Sequence, residues 1–293
     1  MNEIKLSEVF YSAQGEGRFI GVPSVFMRTF GCNFKCPGFG LERGLKTKEP
    51  DDIAQVIELY DSFEQLPLAT SGCDSYASWH PGFKHLSPYY TIDQAVEKML
   101  ALTPNNRWMQ NNGNDVHLVI TGGEPLLGWQ QLYPTLFEHE RMRDLLNVTF
   151  ETNGTQPLYS ELKDYFSRWK GKEVGVHKRH WNHITFSVSP KLSASGERWE
   201  DAIKPEVVNE YEWVGYTYLK FVVDDPKDFE EVDEAVNAYR KAGFEGFVYV
   251  MPVGGTDKAY FENTKHIADL ALERGYRYSP RLHVDIWSNG WGK

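Results

Sequence analysis

Cysteine is scarce in this chain: Cys32, Cys36 and Cys73 are the three it has in 293 residues. Three is the wrong number for a disulfide framework, because pairing would strand one thiol. Closely spaced cysteines in an intracellular chain more often bind metal or catalyse. Long apolar runs are missing too. Nothing approaches the ~18 residues needed to span a membrane, and the opening MNEIKLSEVF is charged throughout, without the apolar stretch of a signal peptide. The expectation is a soluble cytoplasmic protein with no membrane partner. Nor is there an excess of positive charge. The formal net charge is −10, which opposes a polyanion, since binding one normally needs a basic patch to neutralise phosphates. A small-molecule substrate is favoured and no nucleic acid is expected.

What is present reads as an α/β chain. Apolar residues make up 41% of it, enough for a sizeable core. Short β-branched or aromatic runs recur at 24–30, 116–120, 147–151, 184–188, 217–223 and 246–250, and continuous apolar runs of this length fit strands buried on both faces. Helices fall between them. At 226–241, Phe229, Val232, Val236 and Tyr239 share one face and Gly243 follows; a second helix at 263–274 ends before Gly275. Thr91 and Gln94 form a capping box that opens a helix at 92–102. Alternating strands and helices imply a parallel sheet with right-handed crossovers. Residues 37–72 read as an addition, with an amphipathic helix over 51–64 between Pro50 and Pro67, while 103–115, 171–182 and 193–213 read as loops.

Two motifs carry chemistry. Gly31-Cys32-Asn33-Phe34-Lys35-Cys36 places two thiols with three residues between them on a loop after an apolar strand. Iron–sulfur clusters usually take four thiolates. A set of three therefore leaves one iron open to a ligand, or leaves room for His80 or His85 to complete a structural zinc site. Thr121-Gly122-Gly123-Glu124-Pro125 follows the strand at 116–120, at the carboxyl end where parallel α/β folds place their ligands. The glycines admit a close approach to backbone, and Glu124 offers a carboxylate to a cationic group such as an amine.

Together these motifs resemble the radical S-adenosylmethionine enzymes. The opening Gln14-Gly15-Glu16-Gly17, with Gly21, Pro23, Phe26 and Arg28, narrows the resemblance to the 7-carboxy-7-deazaguanine synthase family. So do Cys73-Asp74-Ser75, Glu151-Thr152-Asn153-Gly154-Thr155, Val188-Ser189-Pro190-Lys191 and Arg281-Leu282-His283 with Trp287 and Asn289. The resemblance implies a partial, incomplete TIM-like barrel of parallel strands: a single radical S-adenosylmethionine domain over 1–293, with an insertion at 37–72 between the second and third cluster cysteines. It implies a lyase that converts 6-carboxy-5,6,7,8-tetrahydropterin to 7-carboxy-7-deazaguanine with loss of ammonia. The cofactors implied are a 4Fe-4S cluster, S-adenosylmethionine and Mg2+. The partners implied are a flavodoxin-like external electron donor and a second copy in a homodimer.

Carried over position by position, Cys32, Cys36 and Cys73 match the cluster ligands, and Ser75 matches the hydroxyl that ligates magnesium. Gly122, Gly123, Glu124, Ser189 and Lys191 match cofactor-binding positions. Gln14, Glu16, Arg28, Glu151 and His283 match substrate-facing ones, with Glu16, Arg28 and His283 the catalytic candidates. Arg28 also stands out by itself, since a charge inside the apolar run VFMRTF is seldom buried without a partner.

The chain departs from the family pattern in three places. The third cysteine is expected at position 39, which is Phe39, but 37–72 intervene before Cys73. Such an excursion is tolerable if its ends lie close, because loop-closure cost grows slowly with length. Gly72 stands where an aromatic usually neighbours the adenine, leaving Phe34 and Phe39 as candidates, and Met251 stands where a glutamine occurs. Two other readings remain open: a glycyl-radical activase, which shares the C-x3-C and GGEP-like motifs, and a zinc-binding module without enzymatic activity.

Overall fold

The six apolar runs lie side by side in one sheet. The structure, a computed structural model, describes residues 3–174, 180–254 and 257–293. Strands β1 (Glu3–Ala13) and β2 (Pro23–Thr29) are followed by helix α1 (Glu49–Gln55), strand β3 (Tyr89–Thr91) and helix α2 (Ile92–Ala101). Then come β4 (His117–Gly122), α3 (Tyr133–Glu138), β5 (Asn147–Thr152), α4 (Ser160–Trp169) and the short strands β6 (Glu173–Val174) and β7 (His180–Trp181). The chain continues through β8 (His183–Val188), α5 (Trp199–Ala202), α6 (Pro205–Val214), β9 (Tyr216–Val223) and α7 (Asp228–Lys241). It ends with β10 (Val248–Pro252), α8 (Asp257–Glu273), β11 (Arg277–Tyr278) and α9 (Leu282–Trp287).

The main sheet runs β11-β10-β9-β8-β5-β4-β2-β1-β3. Pairing is parallel from β2 to β11, while β1 and β3 close one edge antiparallel. The two ends of this order are different strands, so the sheet is open, as a partial barrel requires. Side chains alternate across each strand. Val25 and Met27, Val148 and Phe150, Leu219 and Phe221, and Val248 and Val250 pack in the core with α2, α4, α6 and α7. Their neighbours Arg28, Glu151, Lys220 and Met251 point the other way and line a cavity on the inner face. Period two therefore divides each strand between stability and chemistry.

The capping box forms as read: the Thr91 hydroxyl accepts from Gln94 N and the Gln94 side chain accepts from Thr91 N. Three readings need correction. The helix expected over 51–64 is α1, which stops at Gln55 and continues as separate 3-10 turns at Ile57–Leu59 and Phe63–Gln65. The stretch 193–213 is not a loop but carries α5 and most of α6, whose Val208, Tyr211 and Val214 are buried after a proline start. The ends of 171–182 pair as the antiparallel strands β6 and β7, and residues 175–179 of that stretch lie outside the described residues.

The 37–72 segment builds a second small core of its own. Ile53, Phe63, Leu66 and Ala69 pack on Tyr76, Ala77 and Phe83, with Trp291 of the C-terminal segment among them. The Trp291 indole N–H donates to Leu66 O at 2.7 Å, and its ring meets Phe63 edge-on at 4.8 Å. Arg43 ties the same segment to Asp228 at the start of α7.

Candidate functional site

The cavity lies at the carboxyl ends of the parallel strands and gathers residues from most of the chain. Cys32, Cys36 and Cys73 all open onto it, as do Gln14, Glu16, Arg28, Ser75, Gly122, Gly123, Glu151, Ser189, Lys191 and His283. The expected site residues thus share one space, with Glu124 as the exception.

The three cysteines are free thiols. Cys36 belongs to a small apolar cluster with Phe34 and Ala202, against which Cys32 and Cys73 pack. Burial pushes the Cys32 thiol up to about 12 and raises Cys36 and Cys73 as well. Lys191 opposes this shift at all three thiols without overcoming burial, which suits a site that becomes charged only with its metal. Among the described residues no group of three His, Cys, Asp or Glu side chains converges on a single ion. A zinc site needs that convergence, whereas a cluster places its thiolates on separate irons. His80 is also committed elsewhere. Its Nδ1 accepts from Gly82 N at 3.1 Å and its Nε2 meets Asp51 at 3.0 Å.

The loops after β2 and β4 touch through glycine. A Cβ on Gly123 would sit 2.3 Å from Gly31 O and 2.7 Å from Cys32 Cβ, so only glycine admits this approach. Behind it, Glu124 is fully buried and is not among the residues that line the cavity. It accepts from Leu126 N at 3.0 Å, Thr152 Oγ1 at 2.7 Å and Asn153 N at 2.7 Å. Burial raises its pKa to about 6, against the pull of those donors. Three protein donors thus hold the Glu124 carboxylate in place. It locks the β4 loop to the β5 loop, because a buried carboxylate must have its acceptor oxygens satisfied, and Thr121, Gly122 and Gly123 present this end of β4 to the cavity. On the facing side, Lys191 Nζ donates to Ser189 Oγ at 3.2 Å.

The opposite wall is polar. Gln14 Nε2 donates to Glu151 at 3.1 Å while Gln14 Oε1 accepts from Glu16 N at 3.1 Å. Glu16 is ion-paired with Lys220 and, at 3.2 Å, with Arg281; His283 Nε2 lies 3.9 Å away. Burial alone would raise the Glu16 pKa, but Lys220 and Arg281 hold it well below the usual carboxylate range. His283 is pushed down to about 4 by burial and then by Arg281, so its ring is neutral at pH 7. That ring rests on Gly15, where a Cβ would lie 2.1 Å from Nδ1. Arg28 Nε is held by Glu8 at 2.9 Å and its Nη1 donates to Ser75 Oγ at 2.8 Å. Ser75 lies 3.3 Å from Asp74 Oδ1, and Asp74 Oδ2 accepts from Arg281 at 2.6 Å.

Sequence reasoning missed three members of this wall. Lys220 lies inside the apolar run TYLKFVV and carried the same signal as Arg28, a charge in a strand otherwise apolar. Asp74 and Arg281 stood in the quoted motifs without a role. Phe34 and Phe39 both reach the cavity, and Met251 lines it beside Val222. Cys36 and Cys73 flank the point where the 37–72 segment closes, with Gly72 N donating to Phe39 O at 2.8 Å and Thr47 N to Pro37 O at 2.9 Å.

No family model matches the chain. The 7-carboxy-7-deazaguanine synthase of Halobacterium salinarum is 30% identical over 312 residues, covering 98% of this chain and 91% of its own length. That of Pyrobaculum aerophilum is 28% identical over 294 residues, covering 99% and 97%. Among solved structures, QueE from Escherichia coli aligns with a TM-score of 0.52 at 18% identity over 96% of this chain and 95% of its own, a likeness of fold.

Proposed function

We infer the division of labour in this cavity from one premise: the chain belongs to the 7-carboxy-7-deazaguanine synthase family. It is a radical S-adenosylmethionine enzyme that needs an iron–sulfur cluster, and its reaction is the ring contraction of 6-carboxy-5,6,7,8-tetrahydropterin to 7-carboxy-7-deazaguanine with loss of ammonia. Membership sets aside the activase and zinc-module readings. One domain with an insertion at 37–72, an external one-electron donor and a homodimer complete the reading. Among the described residues no helix is long and apolar enough to cross a membrane.

One observation carries the assignment of residues. Three free cysteines, the third brought back across residues 37–72, open into the same cavity as the Gly122-Gly123 loop and the Gln14–Glu16–Glu151 wall. Cys32, Cys36 and Cys73 hold the cluster. Gly122, Gly123, Ser189 and Lys191 hold S-adenosylmethionine, with Glu124 fixing the glycine loop from behind. When bound, the two cofactors supply the radical that takes hydrogen from the substrate.

The chain supplies recognition, fixed charge and dryness. Glu16 stays ionised beside Lys220 and Arg281, so it accepts hydrogen bonds and does not donate a proton. With Glu151 and the Gln14 amide it reads the donor edge of the pterin. The Arg28 guanidinium, steadied at Nε by Glu8, forks onto the substrate carboxylate. His283 presents an uncharged ring nitrogen to the reacting face. Phe10, Phe26, Val222 and Met251 exclude water between these groups.

Magnesium fits at Ser75. Its hydroxyl lies between Asp74 and Arg28 and keeps a lone pair for a hard cation, and the Asp74 carboxylate offsets the guanidinium charge. Few protein ligands with several waters is the usual arrangement for this ion. The test is an anaerobic assay of iron-loaded protein with the pterin, with and without magnesium, followed by mass analysis. A product lighter by one ammonia supports the reading, and no turnover by cluster-replete protein overturns it. Magnesium stimulation that persists undiminished in Ser75→Ala removes Ser75 from the metal site.

A further inference from the structure

Trp291 belongs to two places at once: it lines the cavity, and it packs against the small core of the 37–72 segment. The chain reaches it by a sharp turn after α9. Ser288 and Asn289 both take left-handed backbone, with φ of 50° and 59°, and Gly290 follows. Two consecutive non-glycine residues in that region are uncommon and persist only where surrounding contacts hold them. Trp291 supplies such contacts. Its indole N–H donates to Leu66 O at 2.7 Å, and its ring meets Phe63 at 4.8 Å and Tyr76 at 5.9 Å, both edge-on.

A segment as short as 37–72 cannot close an apolar core from its own residues, and Trp291 is one of the walls it borrows. The same contact shapes the cavity. Leu66 O is held by Trp291 and Pro67 O accepts from the Tyr76 hydroxyl at 2.7 Å, which fixes the chain beside Leu68, a residue of the cavity wall. Beyond Trp291, Gly292 is laid against β1, where a Cβ on it would be 3.9 Å from Phe10 Cβ. The Gly292 amide acts on the buried Glu8 carboxylate: burial raises the Glu8 pKa, and Arg28 and then the Gly292 N–H oppose the rise. Glu8 in turn holds Arg28 Nε at 2.9 Å. Trp291, Gly292, Glu8 and Arg28 thus make one line of contacts from the 37–72 core to a guanidinium in the cavity.

We propose that Trp291 is a positioning residue for the carboxylate of the substrate: seated against the 37–72 core, it lays Gly292 beside Glu8 and so fixes the direction in which Arg28 presents its guanidinium. The proposal rests on the reading above, in which Arg28 takes that carboxylate, and adds what aims it. Aiming matters, because a guanidinium and a carboxylate pair best as two parallel hydrogen bonds from a planar fork. With Nε on Glu8 and Nη1 on Ser75, the plane of this guanidinium is set by its two protein partners, and a displaced Glu8 turns it off the substrate. A pterin without a carboxyl group makes no use of this line, so the contact sorts ligands by that one group. Residues 37–72 then have a function of their own, since they are the socket that holds Trp291.

The probes are 6-carboxypterin, an oxidised relative of the substrate that keeps the carboxyl group, and pterin, which lacks it, each titrated calorimetrically into iron-loaded protein with S-adenosylmethionine. Trp291→Ala is expected to weaken 6-carboxypterin binding about tenfold, as a misplaced binding group does, and to leave pterin binding unchanged. In turnover of the reduced substrate, KM should rise by a like factor with kcat nearly unchanged, the pattern of lost uniform binding. Trp291→Phe keeps a ring in the socket and should restore most of the preference. Phe63→Ala hollows the socket from the other side and should reproduce the loss, so it carries the test where Trp291→Ala does not fold. Leu162→Ala, on the buried face of α4, should lower the unfolding midpoint and leave the preference intact. A wild-type preference for the carboxylated pterin in Trp291→Ala and Phe63→Ala overturns the positioning role alone, as does an equal loss for both pterins. Wild type that binds the two pterins equally overturns the assignment of Arg28 to the carboxylate, and the role of Trp291 falls with it.

Discussion

Gly72 donates its main-chain N–H to the carbonyl of Phe39 over 2.8 Å. Phe39 occupies the position at which the family spacing expects the third cysteine, so the chain leaves after Cys36, builds its own small core, and returns Cys73 to nearly the same point. The loop adds little closure cost, and its core of Ile53, Phe63 and Leu66 offsets the ordering of the segment.

Cys73 is therefore expected to be a cluster ligand despite its distance in sequence. Cys73→Ala should lose the iron that wild type retains after anaerobic reconstitution, along with the brown absorbance. Full iron content in this variant would remove Cys73 from the ligand set.

Lys220 and Glu16 form a buried pair, with side chains 6% and 15% exposed. Lys220→Met leaves the Glu16 carboxylate with Arg281 alone, and breaking such a pair costs about 3–5 kcal/mol. Denaturant unfolding should record that loss. Lys220→Met/Glu16→Gln should recover most of it, since no unpaired charge then remains. Equal stability of Lys220→Met and wild type would refute the pairing.

Gly15 is the floor beneath His283. A methyl group there would overlap the imidazole at 2.1 Å from Nδ1, so Gly15→Ala must displace the ring. We expect kcat/KM to fall at least about tenfold, the range for losing a positioned acid–base or hydrogen-bonding side chain. In a His283→Ala background the same change should cost almost nothing more. Wild-type kinetics for Gly15→Ala would exclude His283 from the reacting face.

His117 sets an acid limit on stability. It is fully buried, its ring meets Phe19 edge-on at 4.5 Å, Nε2 meets Thr149 at 2.9 Å, and Nδ1 has no hydrogen-bond partner among the described residues. Burial lowers its pKa to about 3. Below pH 6.5 the unfolded chain takes up a proton that the folded protein refuses until pH falls to about 3, so stability drops across that window. The cost at pH 5 is about 2 kcal/mol. His117→Gln should lose less stability than wild type between pH 7.5 and pH 5 in matched unfolding titrations. Identical pH slopes would show that His117 is charged in the fold.

The sequence by itself determined the parallel strands β2, β4, β5, β8, β9 and β10, because each is buried on both faces and reads as a continuous apolar run. It also determined the chemistry-bearing loops, whose residues lie just past those strands. It did not display β1 as a strand. That segment buries Lys5 and Glu8, and such burial is tolerable only because the Tyr89 and Phe30 rings lie beside Lys5 and Arg28 lies beside Glu8. Helix α6 was legible in its Pro205 start, its Val208, Tyr211 and Val214 spacing and the Gly215 after it, and was missed for being treated as a loop.

Tertiary structure alone decided three matters. It gave Glu124 its hydrogen-bond partners, because Thr152 and Asn153 come from the end of a neighbouring strand. It joined Glu16, Lys220 and Arg281 into one charged cluster from three distant parts of the chain. It closed 37–72 upon itself, since the contact of Gly72 with Phe39 depends on a small core whose members, down to Trp291, meet only when the whole chain has folded.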